Sequence, residues 1–103
     1  MKRSSVCRRT VTVNQENGLH LVPCSLIAQT ASRFECDVRI LKGDQSVDAK
    51  DIFDLLSLSA GCGTVLVLES SGTGAAEAIE ELVVLFETGF NGAAASDDDT
   101  AGS

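Results

Sequence analysis

Two spacings of apolar residues alternate along this chain, and their order constrains the fold more than any other feature. In residues 7–13 and 35–41, apolar side chains fall on every second position, which is typical of a strand with one buried face. A hairpin turn is predicted at 42–44 and leads into a short strand at 45–48. Residues 64–69 are predicted to form the most hydrophobic strand. Between these segments, apolar residues recur every three or four positions, as in one-sided helices. The predicted order is β-α-β-β-α-β-α.

Three helices complete this pattern. The first follows Pro23, which suits the opening turn of a helix because its missing N–H would be unpaired there. Asp51 is predicted to be the N-cap of a short second helix, and residues 75–87 form the third, with its acidic side chains outside. One-sided strands and helices predict an α+β fold, an open-faced two-layer sandwich in which three helices cover a four-stranded antiparallel sheet.

Length and composition predict one domain followed by a tail. The 103 residues are enough for one domain and too few for two. We expect the domain to span residues 1–89. Residues 90–103 are small, acidic and without periodicity, and they are interpreted as a disordered tail.

The charge distribution excludes several classes of partner. The formal net charge is -7, and because four of the eight basic residues precede residue 11, the remainder carries -11. This field would repel nucleic acid and anionic lipid. No apolar run approaches the ~20 residues that span a bilayer, and no apolar segment of a signal peptide follows the basic start. We therefore expect a cytoplasmic protein that binds neither nucleic acid nor membrane.

The cysteines give no sign of a metal site. They are spread along the chain without a CxxC pair, and two of them fall on apolar positions of predicted elements. Free thiols that act as small hydrophobic residues explain this better than disulfides or metal ligands. The four are Cys7, Cys24, Cys36 and Cys62.

The only histidine, His20, lies in the segment NGLHLVP, between a glycine-containing loop and the first turn of a helix. The free amides at a helix start favour an anion, and a neutral imidazole nitrogen is a nucleophile. A phosphoryl group on His20 would lie beside the backbone amides of Leu21 and Val22, without a metal. A histidine that merely caps the helix or lies at the surface is the simpler interpretation from chemistry alone.

Two longer segments resemble the HPr family, the histidine phosphocarriers of the bacterial sugar phosphotransferase system. NGLHLVPCSLIAQTASRF is similar to the phosphorylation-site segment of that family, and SVDAKDIFDLLSLSAGCGTVLVLE to the segment around its second helix. The two occur in the family's order and separation, the resemblance covers about residues 6–88, and the predicted element order is the family's fold. It implies a phosphoryl carrier without a cofactor, rather than an enzyme.

The resemblance also implies roles for individual residues. His20 matches the phosphorylated histidine, and Asp51 the serine that a regulatory kinase modifies in many members. Leu19, beside the histidine, and the apolar pair Ile52 and Phe53 are assigned to partner binding. The implied partners are an enzyme I-like donor that uses phosphoenolpyruvate and a IIA-type receptor, with a transcription regulator as a further candidate. A monomer is expected.

Val22 is the main departure from the family, because it stands where other members have an arginine that donates to the phosphoryl oxygens. Valine cannot donate, and a charge-assisted hydrogen bond contributes roughly 1.5–3 kcal/mol. Transfer through His20 is therefore expected to be slower or restricted to unusual partners. Three arginines are candidates to replace the missing one: Arg9, Arg33 and Arg39.

Two other departures concern regulation and partner binding. Asp51 cannot be phosphorylated as a serine is, but it can act as a fixed partial mimic, an ordinary helix cap, or both. Gln29, Ser32 and Asp54 occupy positions where family members often carry basic residues. A partner with a matching basic patch, or weaker electrostatic steering, is implied.

Two alternatives to phosphoryl transfer remain open. An HPr-like regulatory module would bind its partner through Ile52 and Phe53 and transfer little or no phosphate. A pair formed by His20 and Cys24, four residues apart on one helix face, would be catalytic or metal-binding, although a structural zinc usually needs four ligands.

Overall fold

The computed structural model describes residues 6–90 and contains four strands and three helices. The elements are β1 (Val6–Thr12), α1 (Leu21–Ser32), β2 (Asp37–Lys42), β3 (Gln45–Asp48), α2 (Ile52–Ser57), β4 (Val65–Ser71) and α3 (Ala75–Glu87).

The four strands form one antiparallel sheet in the order β1-β4-β2-β3. β1 and β4 pair along their whole length, so the end of β1 lies beside the start of β4, with Thr12 opposite Val65. The segments that follow β1 and precede β4 therefore leave the sheet at the same end. This end carries the candidate site.

The core lies between the sheet and the helices. Val38 and Ile40 of β2 and Leu66 and Leu68 of β4 point to the helical side and are at most 1% exposed. The helices contribute a matching set of fully buried side chains: Cys24, Ile27, Ala31, Leu55, Ala78 and Leu82. Alternate burial along the strands follows from the period of two in their sequence.

The other side of the sheet is open and polar. Arg8 of β1 donates to Glu69 of β4 at 2.6 Å, and Arg39 of β2 donates to Ser46 of β3 at 2.8 Å. The observed order, the antiparallel pairing and the uncovered face confirm the predicted α+β open-faced sandwich. None of the helices in residues 6–90 is long and apolar enough to cross a membrane.

The end of α3 extends the packed part of the chain to Phe90. Gly89 has a φ of +64°, and the N–H of Phe90 donates to Leu85 O at 2.7 Å while that of Gly89 donates to Phe86 O. These two bonds close the helix as a Schellman motif, which commonly places a glycine at this position. Phe90, assigned to the tail from the sequence, is 4% exposed and packs edge-to-face on Phe86. The rest of the predicted tail, 91–103, lies outside the described residues.

Candidate functional site

His20 is the N-cap residue of α1 and its ring is exposed to solvent. Its backbone is extended, and its carbonyl accepts the first helical hydrogen bond, from the N–H of Cys24 at 3.1 Å. The side chain makes no capping hydrogen bond. The imidazole therefore does not serve as a helix cap; of the two simpler interpretations only that of a surface histidine agrees with its position, and the ring is accessible to a reactant.

Two backbone amides beside His20 have no acceptor within residues 6–90. They belong to Leu21 and Val22, and the third position of the helix is Pro23, which has no N–H. Unpaired amides at the start of a twelve-residue helix, together with the helix dipole, favour a negative group. The structure thus places the predicted anion-binding amides next to the imidazole.

The loop before His20 is held against the loop between α2 and β4. The N–H of Leu19 donates to Ala60 O at 2.8 Å. Gly18, with a φ of +71°, approaches so closely that a Cβ there would lie 2.5 Å from the same oxygen. Only glycine fits such a position without strain.

Leu19 is buried beneath this loop and is only 5% exposed. Its assignment to partner binding is therefore wrong, because a side chain that belongs to the core cannot contact another protein. The side chain packs inward because its backbone is fixed to a loop about 40 residues further along the sequence. Leu19 anchors the site and does not form its surface.

The second loop is itself fixed to the end of β1. Val13 donates to Thr64 O at 2.9 Å and accepts from the N–H of Gly63 at 2.7 Å. Lys42 donates to Leu58 O at 2.7 Å and so ties the end of α2 to the sheet. His20 is thus carried by a framework whose hydrogen bonds are largely between backbone groups.

Cys24 does not cooperate with His20. Its side chain is fully buried, and its Sγ donates to Leu19 O at 3.4 Å. Burial raises the pKa of the Cys24 thiol to about 11, because desolvation penalises the thiolate. Within the part of the chain that the structure describes, no three or more His, Cys, Asp or Glu side chains form a cluster suited to a metal.

Asp51 is the N-cap of α2, as predicted. Its carboxylate accepts from the N–H of Phe53 at 2.9 Å and from that of Asp54 at 3.3 Å. The side chain of Phe53 is 78% exposed, whereas Ile52 is half-buried and packs against the core. Phe53 is therefore the exposed member of the predicted apolar pair.

Sequence reasoning missed two exposed apolar side chains on the first turn of α1. Leu21 is 59% and Val22 is 55% exposed, and α1 packs against the helix that carries Phe53. Val22 lies outside the buried stripe of α1 formed by Cys24, Ile27 and Ala31, and that departure from the helical period was the signal in the sequence. Leu21 is three residues before Cys24 and keeps the period, so no signal in the sequence indicated its exposure.

The three arginines considered as replacements at the site are all engaged elsewhere. Arg9 pairs with Glu80 at 2.9 Å and Arg33 with Glu81 at 3.0 Å, both on α3. Arg39 contacts Ser46 on the open face of the sheet. Arg33 also follows the last residue of α1, about 18 Å along the helix from its start.

Comparison with known proteins decides the family. Residues 7–88 match the family model described as PTS HPr component phosphorylation site. The chain belongs to the HPr family. It is 34% identical to the phosphocarrier protein HPr of Vibrio cholerae over 79 residues, which cover 77% of this chain and 93% of that protein. It is 37% identical to the HPr-like protein Crh of Bacillus subtilis over 75 residues, with 73% and 88% covered.

The solved structures agree with this assignment. The crystal structure of HPr-C-His from Thermoanaerobacter tengcongensis superposes with a TM-score of 0.80 at 35% identity, and the match covers 82% of this chain and 96% of that one. HPr proteins are phosphocarriers of the phosphotransferase system, and the fold described above is that of an HPr.

Proposed function

We propose that this chain accepts a phosphoryl group on His20 from an enzyme I-like protein that uses phosphoenolpyruvate, and passes it to a IIA-type receptor. The observation that carries the proposal is the exposed imidazole beside two unpaired amides at the start of α1. Family membership supports the same chemistry. Both partners would be met in the cytoplasm, by a carrier that acts as a monomer.

The proposed transfer needs no cofactor. An imidazole nitrogen of His20 attacks the donor's phosphorus, a nitrogen–phosphorus bond forms, and the donor's leaving group departs with the electron pair of the broken bond. The amides of Leu21 and Val22 then donate to the phosphoryl oxygens. Attack by the receptor's nucleophile reverses the sequence and restores the free imidazole.

Chemical phosphorylation tests the acceptor without a protein donor. Incubation with phosphoramidate, which releases ammonia on transfer, should give an acid-labile phosphohistidine signal in 31P NMR. The signal should be absent in His20→Ala, and transfer from enzyme I with phosphoenolpyruvate should label the same residue. An unlabelled wild type under conditions that label another HPr would contradict the proposal.

A second candidate function is that of an HPr-like regulatory module. Relatives named HPr-like protein Crh occur in Halalkalibacterium halodurans and Bacillus subtilis, and one solved relative is described as the catabolite repression HPr of Bacillus subtilis. Exposed Phe53 and the fixed charge of Asp51 favour this role. Binding to a transcription regulator should then be lost in Phe53→Ser and unchanged in His20→Ala. Loss of binding in His20→Ala would contradict it.

A further inference from the structure

Among the residues that the structure describes, the site contains an acceptor and two amides but no side-chain cation. Each of the six Lys and Arg residues within 6–90 makes a contact elsewhere. Arg8 pairs with Glu69, Arg9 with Glu80, Arg33 with Glu81 and Arg39 with Ser46, while Lys42 binds the carbonyls of Leu58 and Ser59, and Lys50 that of Phe34.

Apolar side chains are exposed directly after His20, and apolar and acidic side chains are exposed on α2, the helix that packs against α1. The exposed side chains of Leu21 and Val22 adjoin the imidazole in sequence, and Phe53 is on the neighbouring helix. The start of that helix also carries two exposed acidic residues, Asp51 as its N-cap and Asp54 in its first turn. A phosphoryl group would bring about two further negative charges to a chain whose net charge is already -7.

We infer that the protein partner supplies the missing cation, through a guanidinium that reaches the phosphoryl oxygens over Val22 when the two proteins dock. This inference rests on the proposed phosphoryl transfer through His20. The exposed side chain of Phe53 requires an apolar depression on the partner's surface. Charge complementarity requires basic side chains at the rim of that depression, facing Asp51 and Asp54. An arginine supplied by one protein to a phosphoryl group on another is an effective arrangement in phosphoryl transfer.

The arrangement has a functional consequence. In an isolated phosphorylated chain, the described residues offer only backbone amides to the phosphoryl group, so the group is fully stabilised only in the complex. A partner without a correctly placed cation would bind and still transfer slowly. The rate of transfer thus depends on the partner's side chains, because Val22 neither donates a hydrogen bond to the phosphoryl oxygens nor carries a charge that would repel the partner's cation.

The test uses the full chain phosphorylated by phosphoramidate and measures the lifetime of phosphohistidine by 31P NMR. Val22→Arg should lengthen that lifetime by about tenfold, the ratio that one charge-assisted hydrogen bond supplies. Val22→Leu adds bulk without charge, so an equal gain in that variant would overturn the inference. No gain in Val22→Arg would overturn it too, since a cation would then already be in place or be unnecessary.

A short amphipathic peptide with leucines on one face and arginines at its edges represents the partner. It should lengthen the phosphohistidine lifetime in the wild type several-fold, and less in Phe53→Ser or Val22→Arg. The same peptide with glutamate in place of arginine should have no effect. Equal effects of the two peptides would overturn the inference. Absence of any phosphohistidine in the wild type would instead count against His20 as the acceptor.

Discussion

At the scale of single residues, Gly18 has tighter surroundings than Gly43, Gly61, Gly63, Gly72 or Gly74. Gly18→Ala would place a methyl group 2.5 Å from Ala60 O at a φ of +71°. We expect a loss of roughly 2–4 kcal/mol in the free energy of unfolding, from clash and backbone strain together. Gly43→Ala is the matched control, since Gly43 also has a positive φ but nothing within 4 Å. Urea denaturation that gave equal losses would contradict the close approach.

The cysteines should differ sharply in reactivity. Cys62 is exposed, whereas Cys24 is buried with a pKa raised to about 11 by desolvation. Because the thiolate is the reactive form, Cys62 should be modified by a disulfide reagent at pH 8 while Cys24 stays unmodified until the chain unfolds. Peptide mapping by mass spectrometry after timed labelling gives the order. Early labelling of Cys24 in the folded chain would contradict its burial.

At the scale of secondary-structure elements, substitutions at Asp51 distinguish the helix-capping role of its side chain from the effect of its charge. Asp51→Ala should cost about 1 kcal/mol of stability, because the amides of Phe53 and Asp54 lose their acceptor at the start of α2. Asp51→Asn and Asp51→Ser keep an acceptor and should retain most of the stability. Urea unfolding of the three variants measures capping. If Asp51 also mimics a phosphoserine, Asp51→Asn should weaken regulator binding without loss of stability; equal binding leaves the cap as its only role.

Elements with strong periodicity were predictable from the sequence, and contacts between distant loops were not. The third helix was predicted at 75–87 and is observed at Ala75–Glu87, because its apolar stripe and Gly89 define both its face and its end. The second strand begins two residues later than predicted, although Cys36 is still buried. Leu19 was misassigned because its burial depends on the hydrogen bond to Ala60, which local sequence does not encode.

At the scale of the whole molecule, strand order explains why the His20 loop and the loop after α2 meet. Antiparallel pairing puts the end of β1 beside the start of β4, so the chain leaving one strand runs next to the chain entering the other. The Gly18–Leu19 contact with Ala60 follows from this neighbourhood. The sequence predicted the number of strands, their order along the chain and their antiparallel sense. It could not predict that β1 pairs with β4, because the spacing of apolar side chains shows which face of a strand is buried and not which strand lies next to it.

Cys24 links the stability of the whole domain to pH, since its thiol is buried where α1 packs against the loop that carries Leu19. Its folded pKa of about 11 lies above the ordinary value of 9.0, so the unfolded chain loses this proton first as the pH rises. Below about pH 9 the thiol is protonated in both states and has no effect. Between about pH 9 and 11 the unfolded state binds fewer protons, and the free energy of unfolding should fall by up to about 2–3 kcal/mol. Denaturation at a series of pH values measures this fall.

Two variants serve as controls. Cys24→Ala should be less stable than the wild type at every pH because it leaves a cavity, but its free energy of unfolding should fall less between about pH 9 and 11. The free energy of unfolding of Cys62→Ala should fall as that of the wild type does. Parallel curves for the wild type and Cys24→Ala would show that the buried thiol does not titrate in this way.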